Sequence, residues 1–239
     1  MAGRVIDFDT MGSLAQGYLA TPDVSAGAQT TQAPGVIVLH AWWGLTEPFR
    51  QACDRLAEAG FVALAPDLYH GKTTTSIEEA ETLAQGLDDQ QANGDIAGAM
   101  RYLRQHAAPD ATASADDSGK LALVGFSMGG AYALVTSINR AEEVAAVVTF
   151  YTTVTGLDYS NAQAAYLCHF AEHDAFDPPE AVAEMEQEMR SAGKPTTFYT
   201  YPGTEHWFVE ANRPDVYNAE AAKLAWERTI AFLKAELSR

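Results

Sequence analysis

Positively charged side chains are scarce in this sequence. Its 239 residues include 15 lysines and arginines against 32 aspartates and glutamates, which gives a formal net charge of -17 at pH 7. Nucleic acids and anionic lipid surfaces are bound through concentrated lysine and arginine, so the composition argues against both as partners. A small anionic substrate is disfavoured for the same reason. We interpret the acidity as the property of a solvated surface.

Long hydrophobic runs and cysteines are rare as well. No apolar run approaches the roughly 18 residues that suggest a membrane-spanning helix, so we expect no membrane partner. The opening stretch MAGRVIDFDTMGSLAQGYLATP lacks the apolar core of a secretory signal peptide, and we therefore expect a cytoplasmic protein. In that reducing compartment the two cysteines, Cys53 and Cys168, are expected to be core thiols.

Strand-like and helix-like segments alternate along the chain. The apolar runs typical of buried strands are GVIVLHA, FVALAPDLY, KLALVGF, EVAAVVTFY, AAYLCHFAEHD and TTFYTYPG, after a predicted antiparallel pair near 3–9 and 15–21. Helical spacing of apolar residues is found in 47–59, 94–107, 127–141 and 179–192 and in a last helix that carries Trp226. This alternation predicts an α/β fold, a mostly parallel sheet with helices on both faces and no large lid, in one domain over 1–239.

One junction between a strand and a helix carries the pattern G-x-S-x-G. In LALVGFSMGGAYAL, Ser127 lies between Gly125 and Gly129 at the point where the strand gives way to the helix. This is the pattern of a nucleophile elbow, a strained turn that lifts the serine Oγ out of the sheet. Side chains at 125 and 129 would collide with neighbouring backbone in so sharp a turn. We therefore predict that Ser127 is a nucleophile.

A serine nucleophile needs a histidine base and an acid that orients it, in the chain order serine, acid, histidine. Three histidines follow Ser127. His169 falls within a strand pattern and is expected to be buried, and His173 adjoins the acid candidate and points to the opposite face. His206, in a loop just past a strand, is the predicted base.

The acid is predicted from its place at the end of a strand. Asp174 closes the segment AAYLCHFAEHD, whereas Asp177 precedes Pro178 and is accounted for by the start of the next helix. Glu172 and Glu205 are expected to be solvated. Asp174 is therefore the predicted acid.

Two backbone N–H groups are needed to bind the oxyanion of the tetrahedral intermediate. The residue after the nucleophile, Met128, supplies one, and the loop HAWWGLTEP makes Trp42 the expected second donor. Trp42 and Trp43 are explained equally well as core aromatics or as aromatics that face the substrate pocket. His40, at the end of a buried strand, is expected to be a structural histidine.

Taken together, these motifs resemble the dienelactone hydrolase family. HAWWGL, APDLYHG, GDIAGAMRYLR, GFSMGG, AEHDAFDPP and YPGTEHWF occur in the order and spacing of the family, over about residues 5–235. The resemblance implies an α/β hydrolase fold without a metal or an organic cofactor. It also implies the site residues: the triad Ser127, Asp174 and His206, the oxyanion donors Trp42 and Met128, and the pocket residue Tyr151.

The sequence departs from the family at several places. Typical members have a cysteine at the elbow and a glutamate in the loop after the third strand, where this chain has Ser127 and Ala41. The arginines with which the family binds a substrate carboxylate are absent, since 76–84 contains none and the position four residues after His206 is Glu210. A dienelactone, which is a carboxylate, is therefore disfavoured as the substrate.

We thus expect a serine esterase that cleaves small neutral or aromatic carboxylic esters or lactones through an acyl-enzyme intermediate. Trp43, Tyr151 and Trp207 are predicted to line the substrate pocket, and the protein is expected to be a monomer or a small homo-oligomer. Two alternatives remain open at this stage. One is a non-catalytic protein of the same fold that binds a small apolar ligand, and the other is an acyltransferase that uses the same triad.

Overall fold

The computed structural model describes residues 3–10, 12–23, 33–106 and 119–237. Within these ranges the chain forms eight β-strands, six α-helices and one short 3-10 helix, at Ala141–Glu143. The chain divides into two compact units, Met1–Leu121 and Ala122–Arg239. None of the described helices has both the length and the apolar character needed to cross a bilayer.

The first unit contains four strands in the order β1-β2-β4-β3. β1 (Arg4–Asp9) pairs antiparallel with β2 (Leu14–Ala20), which confirms the predicted opening pair. β2 also pairs antiparallel with β4 (Val62–Pro66), and β4 pairs parallel with β3 (Gly35–Leu39). Every residue of β3 is buried, as its continuous apolar sequence predicts.

The helices of the first unit are α1 (Glu47–Glu58), α2 (Ile77–Gln85) and α3 (Asp89–His106). α1 confirms the predicted helix 47–59. α2 was not predicted, because it buries only Ala80 and so carries almost no apolar periodicity. α3 begins five residues before the predicted 94, since its first turns are polar, and the predicted last residue, 107, lies outside the described residues.

The second unit contains four strands in the order β5-β6-β7-β8. They are β5 (Leu121–Phe126, which begins at the last residue of the first unit), β6 (Val144–Phe150), β7 (Ala165–His173) and β8 (Thr196–Glu205). β6 pairs parallel with β7, and β7 pairs parallel with β8. The helices are α4 (Met128–Asn139), α5 (Pro179–Ser191) and α6 (Ala219–Leu237).

Each unit combines strands with helices, and the pairs β3–β4, β6–β7 and β7–β8 are parallel, so the predicted α/β class is confirmed. The connection 151–164 between β6 and β7 contains no helix or strand, in agreement with the expectation that no large lid is inserted there. The single domain over 1–239 stays a prediction. In the second unit Ser127, Tyr151, Asp174 and His206 each directly follow a strand, the position at which reactive groups gather in α/β sheets.

Two glycines of α3 provide a matched test of packing in the first unit. A Cβ at Gly98 would lie 2.7 Å from the carbonyl oxygen of Asp9, whereas a Cβ at Gly94 would have no atom within 4 Å. Gly98→Ala is therefore expected to lower the free energy of unfolding by about 1–3 kcal/mol through overpacking. Gly94→Ala is expected to raise it by about 1 kcal/mol, because alanine favours the helix. Urea unfolding followed by circular dichroism measures both, and equal effects would contradict the close approach of α3 to β1.

Candidate active site

Ser127 lies in the turn between β5 and α4 with a strained backbone. Its φ of 49° and ψ of -117° fall outside the regions that residues other than glycine ordinarily occupy. The Ser127 N–H donates to the carbonyl of Phe150 at 3.0 Å, and the Ser127 carbonyl accepts from the N–H of Gly130 at 2.8 Å. The conformation is thus held from β6 on one side and from α4 on the other, as a nucleophile elbow requires.

The glycines beside Ser127 allow this turn to form. A Cβ at Gly125 would lie 2.5 Å from both the carbonyl oxygen of Gly129 and the Cα of Gly130, so the predicted backbone collision at 125 is confirmed. A Cβ at Gly130 would overlap the side chain of Thr152. The Thr152 hydroxyl donates to the carbonyl of Ser127 at 3.0 Å, which adds a further contact between the elbow and the residues that follow β6.

A chain of hydrogen bonds links Ser127 to His206 and Asp174. The Ser127 Oγ lies 3.1 Å from the Nε2 of His206, and the His206 Nδ1 lies 2.9 and 2.7 Å from the two carboxylate oxygens of Asp174. Because a carboxylate only accepts, the imidazole proton lies on Nδ1 and Nε2 is left to accept from the hydroxyl. This is the tautomer that a general base for Ser127 needs.

Asp174 is held as a carboxylate by its surroundings. Burial by itself would raise the pKa of this side chain, but the hydrogen bond and charge of His206 bring the pKa below its ordinary value. The backbone N–H groups of Phe176 and Asp177 add to this effect, at 2.9 and 3.2 Å from Oδ1. An ionised Asp174 is suited to orient His206 and to stabilise the imidazolium that forms when the base takes a proton.

Asp177 places a second carboxylate beside His206. Its Oδ2 lies 3.6 Å from the His206 Nδ1, and its side chain is only 6% exposed. The residue that caps α5 is Pro178, so the start of the helix does not account for Asp177 as the sequence suggested. Burial, followed by the charge of Asp174, raises the pKa of Asp177 against the opposing effects of Thr153 and His206.

Asp174, Asp177 and His206 also offer three potential metal ligands within 4.8 Å of one another. The Nδ1 of His206 donates its proton to Asp174, so this nitrogen has no lone pair to offer an ion. The hydrogen bond itself accounts for the short spacing of the group. We therefore assign no metal site to these residues.

Tyr151 and Glu210 form a buried pair next to His206. The Tyr151 hydroxyl donates to the Oε1 of Glu210 at 2.7 Å, and both residues are 1% exposed. Burial, then the charge and hydrogen bond of Glu210, raise the pKa of Tyr151 well above its ordinary value, so the phenol stays neutral. The Tyr151 ring lies 4.7 Å from the His206 ring. The sequence analysis noted Glu210 only as the residue at a position where the family has an arginine, and it did not predict the contact with Tyr151.

Two further aromatic rings pack against His206. Phe176 and Trp207 each lie 4.8 Å from the imidazole and 5.4 Å from one another, measured between ring centroids. Phe176 is 52% exposed, and the guanidinium of Arg213 lies 4.4 Å from the centre of the Trp207 ring. Phe176 was missed by the sequence analysis, although an aromatic residue two positions after the acid was the available signal. The pocket roles of Trp207 and Tyr151 stay predictions.

The other predicted site residues include the tryptophan pair of the first unit. Trp42 and Trp43 lie in the turn after β3, with their rings 5.4 Å apart and edge to face. Trp43 is 2% exposed, and its carbonyl accepts from the N–H of Thr74 at 3.1 Å, so it has the burial of a core aromatic. Trp42 and Met128 as oxyanion donors, and Trp43 as a pocket residue, stay predictions.

The remaining histidines weighed above are structural or exposed. His40 is fully buried, donates from Nδ1 to the carbonyl of Ala41 at 2.7 Å and accepts at Nε2 from the N–H of Leu68 at 3.1 Å. His169 is also fully buried, 2.8 Å from the Tyr201 hydroxyl. The side chain of His173 is 70% exposed. Of the histidines after the elbow, His206 is the one placed to act on Ser127.

Both cysteines lie in the core, as expected. Cys53 and Cys168 are fully buried and free. Burial is the main cause that raises the pKa of both thiols, to about 12 for Cys168, so both stay protonated at neutral pH. Neither thiol is a nucleophile in this state.

The chain is similar to known proteins over nearly its whole length. The sequence model of the dienelactone hydrolase family matches residues 15–237. "Protein usf" of Aquifex pyrophilus is 29% identical, covering 99% of this chain and all of its own. A Bradyrhizobium protein named "Probable 2-oxo-3-(5-oxofuran-2-ylidene)propanoate lactonase" is 32% identical, covering 97% of this chain and 94% of its own.

Among solved structures, the dienelactone hydrolase-like promiscuous phosphotriesterase P91 from metagenomic libraries superposes on this chain with a TM-score of 0.81. The match covers 98% of each chain at 21% identity, so it shows a shared fold and nothing about function. Together with the family match, it confirms the predicted α/β hydrolase fold.

His169 is predicted to make stability depend on pH. Burial, with a smaller effect of Arg228, lowers its pKa to about 3, against 6.5 in an unperturbed chain. Between these two values the unfolded chain binds a proton that the folded chain does not, so stability falls as the pH is lowered from 6.5 towards 3. His169→Gln is expected to reduce this slope by up to about 1.4 kcal/mol per pH unit.

The free energy of unfolding, measured by urea titration from pH 7 down to pH 4, provides the comparison. His106→Gln removes an exposed histidine at the end of α3 and is expected to leave the slope of the wild type unchanged. Identical slopes in all three proteins would contradict a neutral, buried His169.

Proposed function

Because the chain belongs to the dienelactone hydrolase family of ester and lactone hydrolases, we propose that it is a serine esterase that cleaves small neutral carboxylic esters or lactones. One observation carries the proposal, the hydrogen-bonded series from the Ser127 Oγ through His206 to Asp174, set on a strained turn. The triad and the acyl-enzyme mechanism described below belong to this proposal.

His206 acts first as a base and then as an acid. As the Ser127 Oγ attacks the ester carbonyl carbon, its proton passes to the His206 Nε2, and Asp174 stabilises the resulting imidazolium. The C–O bond to the leaving group then breaks, and the same proton passes from Nε2 to the departing alkoxide. A water molecule, deprotonated by Nε2, attacks the acyl-enzyme and releases the carboxylic acid and Ser127.

The negative charge on the tetrahedral intermediate requires donors that are already in place. Met128 directly follows the nucleophile and is the first residue of α4, at the end of the helix where the dipole is positive. We assign the first oxyanion donor to Met128 and the second to Trp42, the latter on the family resemblance. Loss of one such donor typically lowers the rate about 100- to 1000-fold.

The charges around His206 favour a neutral substrate. Glu210 is a buried carboxylate that contacts Tyr151, and the Tyr151 ring packs on the base. Asp174 and Asp177 add two more acidic groups, at 2.7 and 3.6 Å from the His206 Nδ1. A substrate carboxylate would meet repulsion from these groups in a weakly screened site. We therefore propose uncharged acyl groups rather than the carboxylated lactone of the family name.

Replacement of the nucleophile tests the mechanism directly. Ser127→Ala is expected to lower kcat for short-chain p-nitrophenyl esters by a factor on the order of 10⁶ and to abolish labelling by a fluorophosphonate probe. Ser137→Ala is the matched control in α4, because the Ser137 Oγ donates to the Leu134 carbonyl at 2.7 Å and lies 2.9 Å from the Tyr166 hydroxyl. The control is expected to keep both labelling and turnover. Labelling that persists in Ser127→Ala would contradict the assignment.

Substrate charge provides a second test. p-Nitrophenyl butyrate and mono-p-nitrophenyl succinate differ at the end of the acyl chain, which is a methyl group in the butyrate and a carboxylate in the succinate. The wild type is expected to prefer the butyrate in kcat/KM, and Glu210→Gln is expected to narrow the preference by a factor on the order of ten. Glu205→Gln, which removes the same charge from an exposed side chain, is expected to change it little. An unchanged preference in Glu210→Gln would contradict the role of Glu210.

A further inference from the structure

We propose that Asp177 is a second orienting acid for His206, able to hold the imidazole when Asp174 does not. This inference rests on the proposed function, since it concerns the histidine assigned there as the base. Asp177 touches neither the substrate nor Ser127 in this scheme, so it is a positioning residue.

The geometry places both carboxylates at the same ring nitrogen. The Asp174 Oδ2 lies 2.7 Å from the His206 Nδ1, and the Asp177 Oδ2 lies 3.6 Å from the same atom. A rotation of the imidazole or a small shift of the Asp177 side chain would bring the second distance within hydrogen-bond range. Either carboxylate can then receive the Nδ1 proton and keep Nε2 free to accept from Ser127.

The position of Asp177 is fixed by its backbone. Its N–H donates to the Asp174 Oδ1 at 3.2 Å, and the next residue is Pro178, which caps α5 with a φ of -65°. The two acids therefore share one short loop between β7 and α5. Their side chains are 6% and 2% exposed, so water does little to weaken their interaction with the base.

The arrangement also matches what the reaction needs. Two buried carboxylates beside the same ring nitrogen repel one another, and this repulsion is offset when the imidazole takes a proton. His206 becomes an imidazolium each time Ser127 attacks. A second negative partner therefore favours the charged intermediate state of the base, beyond the contribution of Asp174 alone.

Removal of the two acids singly and together tests the inference. Where a single acid orients a catalytic histidine, replacement of that acid by asparagine typically lowers kcat about 10⁴-fold. Because Asp177 can take the place of Asp174, we expect Asp174→Asn to lower kcat only about 10- to 100-fold. Asp177→Asn alone is expected to lower kcat only a few-fold. The double variant is expected to lower kcat about 10⁴-fold, which is more than the product of the two single losses. Glu180→Gln, an exposed acid in the first turn of α5, is the control for a general loss of charge.

The His206 Nδ1 proton gives a readout that does not depend on turnover. Its low-field proton resonance is expected to persist in Asp174→Asn and to disappear in the double variant. The pH at which kcat/KM falls on the acid side is expected to move to lower pH in Asp177→Asn, because one negative partner of the imidazolium is lost. The other titratable or charged groups near the ring are Asp174, the neutral Tyr151 with Glu210 behind it, and Arg213 beyond Trp207.

Three results would overturn the inference: loss of the resonance in Asp174→Asn alone, a full 10⁴-fold loss in that single variant, or an unshifted pH profile in Asp177→Asn. Equal thermal stability of the variants excludes a general folding defect as the cause. Failure of the proposed esterase function would differ from all of these, since the wild type itself would then neither turn over esters nor label at Ser127.

Discussion

The strained backbone of Ser127 is the constraint on which the rest of the site depends. A residue at this φ and ψ costs about 1–3 kcal/mol and persists only where neighbouring groups hold it. Here the carbonyl of Phe150 and the hydroxyl of Thr152 hold it from the residues around the end of β6. The same end of β6 leads into Tyr151, whose ring packs against the His206 imidazole. The conformation of Ser127 and a ring that packs against His206 therefore both depend on the same end of β6.

Much of this arrangement could be predicted from the sequence, because short-range constraints leave clear patterns. G-x-S-x-G between an apolar run and a helical segment fixes the elbow, and an acid at the end of a strand and a histidine just past the next strand follow in order. His40 and His169 were separated from His206 by their strand positions, and both are fully buried. The elements that are predicted best are those in which burial of one face requires a regular spacing of apolar residues in the sequence.

The features that were missed depend on contacts between residues distant in sequence. Glu210 and Tyr151 are 59 positions apart, and nothing local in either segment indicates that they share a hydrogen bond. Asp177 was attributed to the start of a helix because aspartate before proline commonly has that role, and only the folded structure shows its Oδ2 3.6 Å from the His206 Nδ1. α2 escaped prediction because a helix that buries one alanine has almost no pattern to detect.

The burial of Cys53 and Cys168 has a consequence for chemical resilience. Thiolates are the forms that peroxides attack, and a cysteine nucleophile must expose one to do its work. In this chain the elbow carries an alcohol, and both thiols are protonated and shielded in the core. Under the proposed function the nucleophile is therefore an alcohol, which mild oxidants leave unchanged.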